Sequence, residues 1–249
     1  MSKKLAGSRV LVTRPTAQSD STITAIEAAG GVGIRFPVID ISPRDAAAIN
    51  DDLSGMTPPD ITVFISSNAA RFGTSAVDSS KVAAIGPATR KALDELGISA
   101  EIFPQDGFDS EHLLQHAALA DVAGKTIRIV RGNRGRELLA KTLRSRGAEV
   151  QELPVYERTC AAPTAEAVAE LAAGWRSDGV DIVVVMSVES LQNLLQILPA
   201  ELQNLLPSSL LVSPSRRVIQ TAQEQLPDMP TRLAGGIEAR DLVDAMVRS

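Results

Sequence analysis

An internal repeat constrains this chain more than any other feature. The stretch "RVLVTRP" near the start is matched by "IRIVRGN" in the middle, with Arg14 on Arg131. Likewise "AAGGVGIRFPVID" is matched by "RSRGAEVQELPVYE", with Pro37 on Pro154, and both pairs stand 117 positions apart. Further on, "DITVFISSN" matches "DIVVVMSVE" with Ser66 on Ser187, and "AIGPAT" matches "LVSPSR" with Pro87 on Pro214. A repeat this long implies two copies of one supersecondary unit. Each copy alternates short apolar, β-branched runs with helical patterns. The first has "RVLVT", "GIRFPVID", "ITVFIS", "KVAAI" and "AEIF"; the second has "TIRIV", "AEVQELPVY", "DIVVVM", "SLLVS" and "TRLAG". Ten strands separated by helices predict parallel α/β structure, with a flavodoxin-like doubly wound sheet for each copy. The 249 residues suit two domains of about 120 residues each.

Composition agrees and excludes several classes. Apolar residues make up 44% of the chain but aromatics only 3%, which suits helices packed on parallel sheets better than a sandwich. A net charge of −5 argues against a general nucleic-acid binder. Cys160 is the only cysteine, so no intrachain disulfide forms. The first residues carry no apolar h-region, and no run reaches 18 uninterrupted apolar residues. A cytoplasmic protein, acting as a monomer and touching no membrane, is expected.

In doubly wound sheets the ligand sits beyond the carboxyl ends of the strands, where loops run into helix N-termini. The unusual residues of this sequence fall there: "TRP" at 13–15, "SSNAA" at 66–70, "GPAT" at 86–89, "RGNRGR" at 131–136, "SVES" at 187–190 and "SPSRR" at 213–217. The candidate anion-binding set is Arg14, Ser66, Ser67, Asn68, Gly86, Arg131, Gly132, Ser187, Ser213 and Ser215. Guanidinium forks at matched positions of both copies, Arg14 and Arg131, suit carboxylate or phosphate. A solvated basic turn is the plainer reading of the loop that holds Arg131, Arg134 and Arg136.

Other motifs carry less. "AGKT" at 123–126 resembles the tail of a phosphate-binding loop, but position 119 is Leu where glycine is needed, and the motif precedes a strand. "GGVG" at 30–33 follows a helix, the reverse of a dinucleotide fingerprint, and reads as a helix stop. His112 and His116 are spaced for one helix face, with the apolar neighbours turned the other way, so a solvated face is expected and no metal. With no histidine elsewhere, a Ser-His-Asp or Cys-His hydrolase is hard to assemble. Tyr156, the only tyrosine, lies in "LPVYERT", opposite "FPVIDISP" of the first copy. It reads either as a spacer between domains or as a phenol pointing into a cleft. The two segments have the alternation of a short paired ladder.

"VLVTRP", "FPVIDI", "FISSNAARF", "AIGPATRKALDELG" with "SEHLL", "RIVRGNRGRELLAKTLRSRGAEVQELPVYERT" and "VVVMSVES", in this order over nearly the whole chain, resemble the uroporphyrinogen-III synthase family. The resemblance implies a cofactor-free lyase of tetrapyrrole (haem) synthesis. Its substrate is hydroxymethylbilane, a linear tetrapyrrole polycarboxylate that it closes to uroporphyrinogen III with inversion of the last ring and loss of water. It also implies two domains exchanged across the repeat: 1–36 with 160–249, and 43–153, joined by linker strands at 37–42 and 154–159. Thr89 in "GPAT" and Tyr156 in "PVYERT" match the family's cleft hydroxyls, with Tyr156 the candidate to assist water loss. The second "GPAT" position reads "SPSRR" here, a departure that leaves Ser215 or Arg216 in place of the hydroxyl. From the residues alone, a two-domain cytoplasmic sensor or binder for an anionic small molecule uses the same loops.

Overall fold

The structure is a computed structural model that describes residues 5–135 and 137–247; Arg136 of the basic loop lies outside the described residues. In chain order the strands are β1 (Arg9–Val12), β2 (Val32–Arg35), β3 (Ile39–Pro43), β4 (Ile61–Phe64), β5 (Lys81–Ala84), β6 (Thr126–Gly132), β7 (Glu149–Cys160), β8 (Ile182–Val184), β9 (Leu210–Ser213) and β10 (Thr231–Leu233). The helices are α1 (Thr16–Ala28), α2 (Ala46–Ser54), α3 (Ser67–Phe72), α4 (Pro87–Asp94), α5 (Ser110–Leu113), α6 (Leu138–Ser145), α7 (Ala165–Asp178), α8 (Val188–Ile197), α9 (Ala200–Gln203), α10 (Arg216–Gln225) and α11 (Ala239–Val247). Their ends follow local chemistry. Pro87 opens α4, where its missing N–H costs nothing, and Gly147 beyond α6 takes the positive φ of 83° that a left-handed stop needs.

The chain forms two compact units, Met1–Asp40 with Thr159–Ser249, and Ile41–Arg158. The first holds a sheet in the order β10-β9-β8-β1-β2, with each neighbouring pair parallel. Numbered by appearance within that unit, the order is 2-1-3-4-5, the flavodoxin-like arrangement. One face packs Val10, Val12, Ile182 and Val184 against Ile26 of α1 and Leu242 and Met246 of α11.

The second unit holds β3-β7-β6-β4-β5. Because side chains alternate along a strand, β6 sends Ile127 and Ile129 to the core under α6 (Leu139, Ala140, Leu143), and Val130 to the core under α3 and α4 (Ala69, Ala70, Ala92, Leu93). Helices thus cover both faces, which is why β4 is buried at every position and β6 at all but its first. Strand β3 adds at the β7 edge. Ala161 N–H donates to Val38 O and Arg44 N–H to Val155 O, so one segment advances while its partner retreats, and the pair is antiparallel.

The two central strand pairs share one register. Val12 is opposite Arg35 in the first unit and Ile129 opposite Glu152 in the second, and each residue is offset by 117 from its counterpart.

Three expectations are corrected. "AEIF" forms no strand; it makes one isolated bridge, Ala83 with Ile102, because Pro104 follows at once and removes the next donor. "GIRFPVID" is not one strand: it breaks at Phe36–Pro37 into β2 and β3, which belong to different sheets. His112 and His116 do not share a helix. His112 lies in the four-residue α5, and the His116 ring accepts from the Ala118 N–H at 3.2 Å to start a separate 3-10 turn.

Buried Asn193 of α8 donates from Nδ2 to Val38 O at 2.9 Å, holding the segment that leaves β2. Asn193→Ala leaves that carbonyl without its donor and should cost about 1–3 kcal/mol. A denaturant melt of the variant checks this, and an unchanged midpoint contradicts it.

Candidate functional site

At the carboxyl end of the second sheet, strand β7 slips against β6. Arg131 is opposite Pro154, but Gly132 is opposite Tyr156, so Val155 is one residue extra. The slip begins at the only residue type with no N–H to give to a ladder, the position where proline is tolerated in a sheet. Its outcome is to lay the Tyr156 ring against Gly132: a Cβ on Gly132 would stand 2.7 Å from two ring carbons. The ring also packs beside Phe72, centroids 6.2 Å apart, and only 7% of the residue is exposed.

The Tyr156 hydroxyl is 3.2 Å from Ser66 Oγ. Ser66 caps α3 by accepting the Ala69 N–H at 3.0 Å, so its proton is free for the phenol or for a ligand. Both residues line a cavity of about 270 Å³ with Ile65, Ile85, Ser110 and Arg131. The lining is mixed: Ile65, Ile85, Ile129, Leu139 and Ala140 are apolar, while Ser66, Ser110 and Tyr156 bring hydroxyls and Arg131, Arg134 and Arg158 bring guanidinium groups.

Arg131 is buried to 9% exposure and bonded from Nη1 to Glu152 Oε2. Arg144 of α6 reaches the other oxygen of Glu152 at 3.0 Å. This carboxylate between two guanidinium groups also borders an adjoining cavity of about 840 Å³, lined by Arg44, Asn133, Arg134 and Glu157 among others. Glu152 was not among the sequence candidates. Its signal is the shared register, which places it on the Arg131 face of the sheet.

Arg14, in the first unit, differs. At the position matching Glu152 the first copy has Arg35, which is bound to Asp20 at 2.6 Å instead. Arg14 makes one long contact, Nη1 to Thr22 Oγ1 at 3.3 Å, and its Nε is buried with no partner among the described residues. Burial pulls its pKa below the ordinary arginine value, opposed by the nearby carboxylate of Glu238.

The remaining candidates sit at strand-to-helix turns. Gly86 precedes α4, in which Thr89 is 3% exposed. Ser67 and Asn68 open α3, where the first N–H groups have no carbonyl to meet within the helix. In the first unit Ser187 caps α8 through the Ser190 N–H, Ser213 accepts from the Ser215 N–H, and Ser215 caps α10 through Val218. The structure therefore gathers Ser66, Tyr156 and Arg131 in one cavity. Arg14, Ser187, Ser213 and Ser215 belong to the other unit. Among the described residues no three His, Cys, Asp or Glu side chains form a metal-binding group, and no helix is long and apolar enough to cross a membrane.

The family model described as uroporphyrinogen-III synthase HemD matches residues 20–227. The chain belongs to the uroporphyrinogen-III synthase family. It is 35% identical over 199 residues to the uroporphyrinogen-III synthase of Escherichia coli, spanning 76% of this chain and 80% of that one. The Salmonella typhimurium protein of the same name gives the same identity and coverage. Among solved structures, uroporphyrinogen-III synthetase from Helicobacter pylori superposes with a TM-score of 0.63 at 13% identity, over 96% of this chain and 98% of that one. A mutant uroporphyrinogen III synthase from Thermus thermophilus superposes at 0.57 and 18% identity, over 95% and 96%. These structures share the two-domain α/β fold with parallel sheets.

Within this synthase-family fold, Gly132 is required by the ring it faces. Gly132→Ala forces the Tyr156 side chain to move and should destabilise the second unit by about 1–3 kcal/mol, as overpacking does. A thermal melt reads it; a variant as stable as the parent, with the Tyr156 hydroxyl resonance unshifted, contradicts it.

Proposed function

We propose that this chain acts as a uroporphyrinogen-III synthase, closing hydroxymethylbilane to uroporphyrinogen III, and that Tyr156 with Ser66 forms its catalytic end. The observation that carries the reading is the 3.2 Å contact of the two hydroxyls inside a cavity at the strand ends that three arginines also line. The hydroxymethyl pyrrole is activated by its own ring nitrogen, so the C–O bond breaks with little help and the hydroxyl departs with a proton as water. A phenol donating a hydrogen bond to that oxygen favours its loss. The substituted α-carbon of the last pyrrole attacks the cation left behind to give a spiro intermediate; the bond from that carbon to the methylene of the neighbouring ring then breaks, and the methylene cation so formed bonds to the free α-carbon of the last ring, which loses its proton. Holding the reactive groups away from bulk water accounts for the choice of isomer. No cofactor is needed for any step.

The substrate's carboxylates suit the donors at the helix starts, with Ser67, Asn68, Gly86, Gly132, Ser187, Ser213 and Ser215 as binding positions and Thr89 as a second hydroxyl. The two matched arginines divide the work. Arg131 already holds an internal carboxylate, whereas Arg14 has a buried, unpartnered Nε and is the better ligand for an external one. We assign 1–36 with 160–249 to one domain and 43–153 to the other, with 37–42 and 154–159 as linker strands. This rests on the points where the chain passes between units, Asp40–Ile41 and Arg158–Thr159. A monomer in the cytoplasm is part of the same reading.

Three variants test it. Tyr156→Phe keeps the ring and removes the donor; turnover of fresh hydroxymethylbilane should fall at least about tenfold while the released product stays the inverted isomer. Unchanged turnover returns Tyr156 to a spacer. Arg14→Ala should raise KM by roughly tenfold with little change in stability, whereas Arg131→Ala, which leaves Glu152 with Arg144 alone, should lower stability by about 1–2 kcal/mol. If the parent protein leaves only the spontaneous, uninverted isomer, the reading as a binder or sensor takes over.

A further inference from the structure

The chain has five phenylalanines, one tyrosine and one tryptophan. Among the described residues Phe108 is the only exposed aromatic, at 55%. A single exposed aromatic is ordinary on a protein surface. This one is held in place from three sides. Its ring lies 5.9 Å from that of Phe103, which carries the Arg90 guanidinium 5.1 Å from its centroid. Its Cβ rests on Gly86, where an added Cβ would approach to 3.0 Å. On either side, Gly107 takes a φ of 68°, and the Asp109 carboxylate both caps the His112 N–H at 2.9 Å and holds the His112 ring at 2.6 Å.

The location gives this plate a use. Ser110, two residues on, and Ile85, next to Gly86, both line the cavity that contains Ser66 and Tyr156. Phe108 does not itself line that cavity, but it stands two residues from Ser110 with its Cβ over Gly86 at the start of α4, beside Ile85. An exposed aromatic face near a cavity lined by Arg131, Arg134 and Arg158 suits a ligand made of flat rings with anionic edges.

We propose that Phe108 is a specificity-determining contact, its ring face receiving a pyrrole of the substrate while the carboxylates of that pyrrole meet the backbone donors alongside. The inference rests on the proposed synthase function. It gives Gly86 a second role: a Cβ there would press on that of Phe108 at 3.0 Å.

Steady-state kinetics on hydroxymethylbilane, with product isomers separated after oxidation, test the contact. Phe108→Ala should raise KM by roughly fivefold to tenfold, the size of an aromatic stacking contact, with kcat held within about twofold. Phe108→Trp should restore KM, and Phe108→Leu, apolar but without a ring face, should not. Thermal melts of all three accompany the assay; if Phe108→Ala does not fold, the Trp and Leu variants decide. An unchanged KM in Phe108→Ala, or full recovery in Phe108→Leu, overturns the proposal. A parent protein that makes no inverted isomer sinks the synthase reading and this contact with it, whereas an active parent with an indifferent Phe108 sinks the contact alone.

Discussion

The candidate site depends on one missing hydrogen-bond donor. Pro154 has no N–H, and the parallel ladder between β6 and β7 loses its register there. The extra residue, Val155, turns its carbonyl to Arg44 beside β3, and the Asn133 N–H takes the carbonyl of Tyr156 at 3.0 Å. Once the ladder resumes, Tyr156 faces Gly132, and only a residue without a side chain gives the ring room. The phenol then reaches Ser66, which is fixed in turn because it caps α3. A proline, a glycine and a helix cap place two hydroxyls together without a loop having to be ordered for the purpose.

The same register produces the contrast between the two arginines. Position for position, the second unit offers Arg131 a carboxylate at Glu152, and the first offers Arg35 at the matching place. A buried guanidinium with a carboxylate is neutralised and structural; one with an unpartnered nitrogen keeps its capacity for a ligand. Two near-identical sequence positions therefore differ in chemistry through a neighbour on the next strand.

How much of the fold was legible follows from where the signals are local. The alternation of apolar runs with capped helices marks parallel α/β structure, and Pro87, Gly147 and the serines before α3, α8 and α10 mark helix ends within a residue or two. "AEIF" misled because a short apolar run has the same composition whether or not a partner strand lies within reach. "GIRFPVID" misled because its counterpart, around Pro154, stays in one strand: proline is tolerated at a bulge in one copy and ends the strand in the other. The histidine pair misled because i, i+4 spacing implies a shared face only if the helix lasts that long.

By itself the sequence determined the fold class, the family, the strand ends at which the candidate residues collect, and Tyr156 as a residue of interest, since these depend on periodicity, turn chemistry and an ordered set of motifs. Only the tertiary structure decided which candidates meet. Glu152 is 21 positions from Arg131 and Ser66 is 90 from Tyr156, and nothing in their local sequence announces the contact. Phe108 against Gly86 is of the same kind. Such pairings are fixed by strand order and register, which arise from long-range hydrogen bonding and packing, and no short stretch of chain carries them.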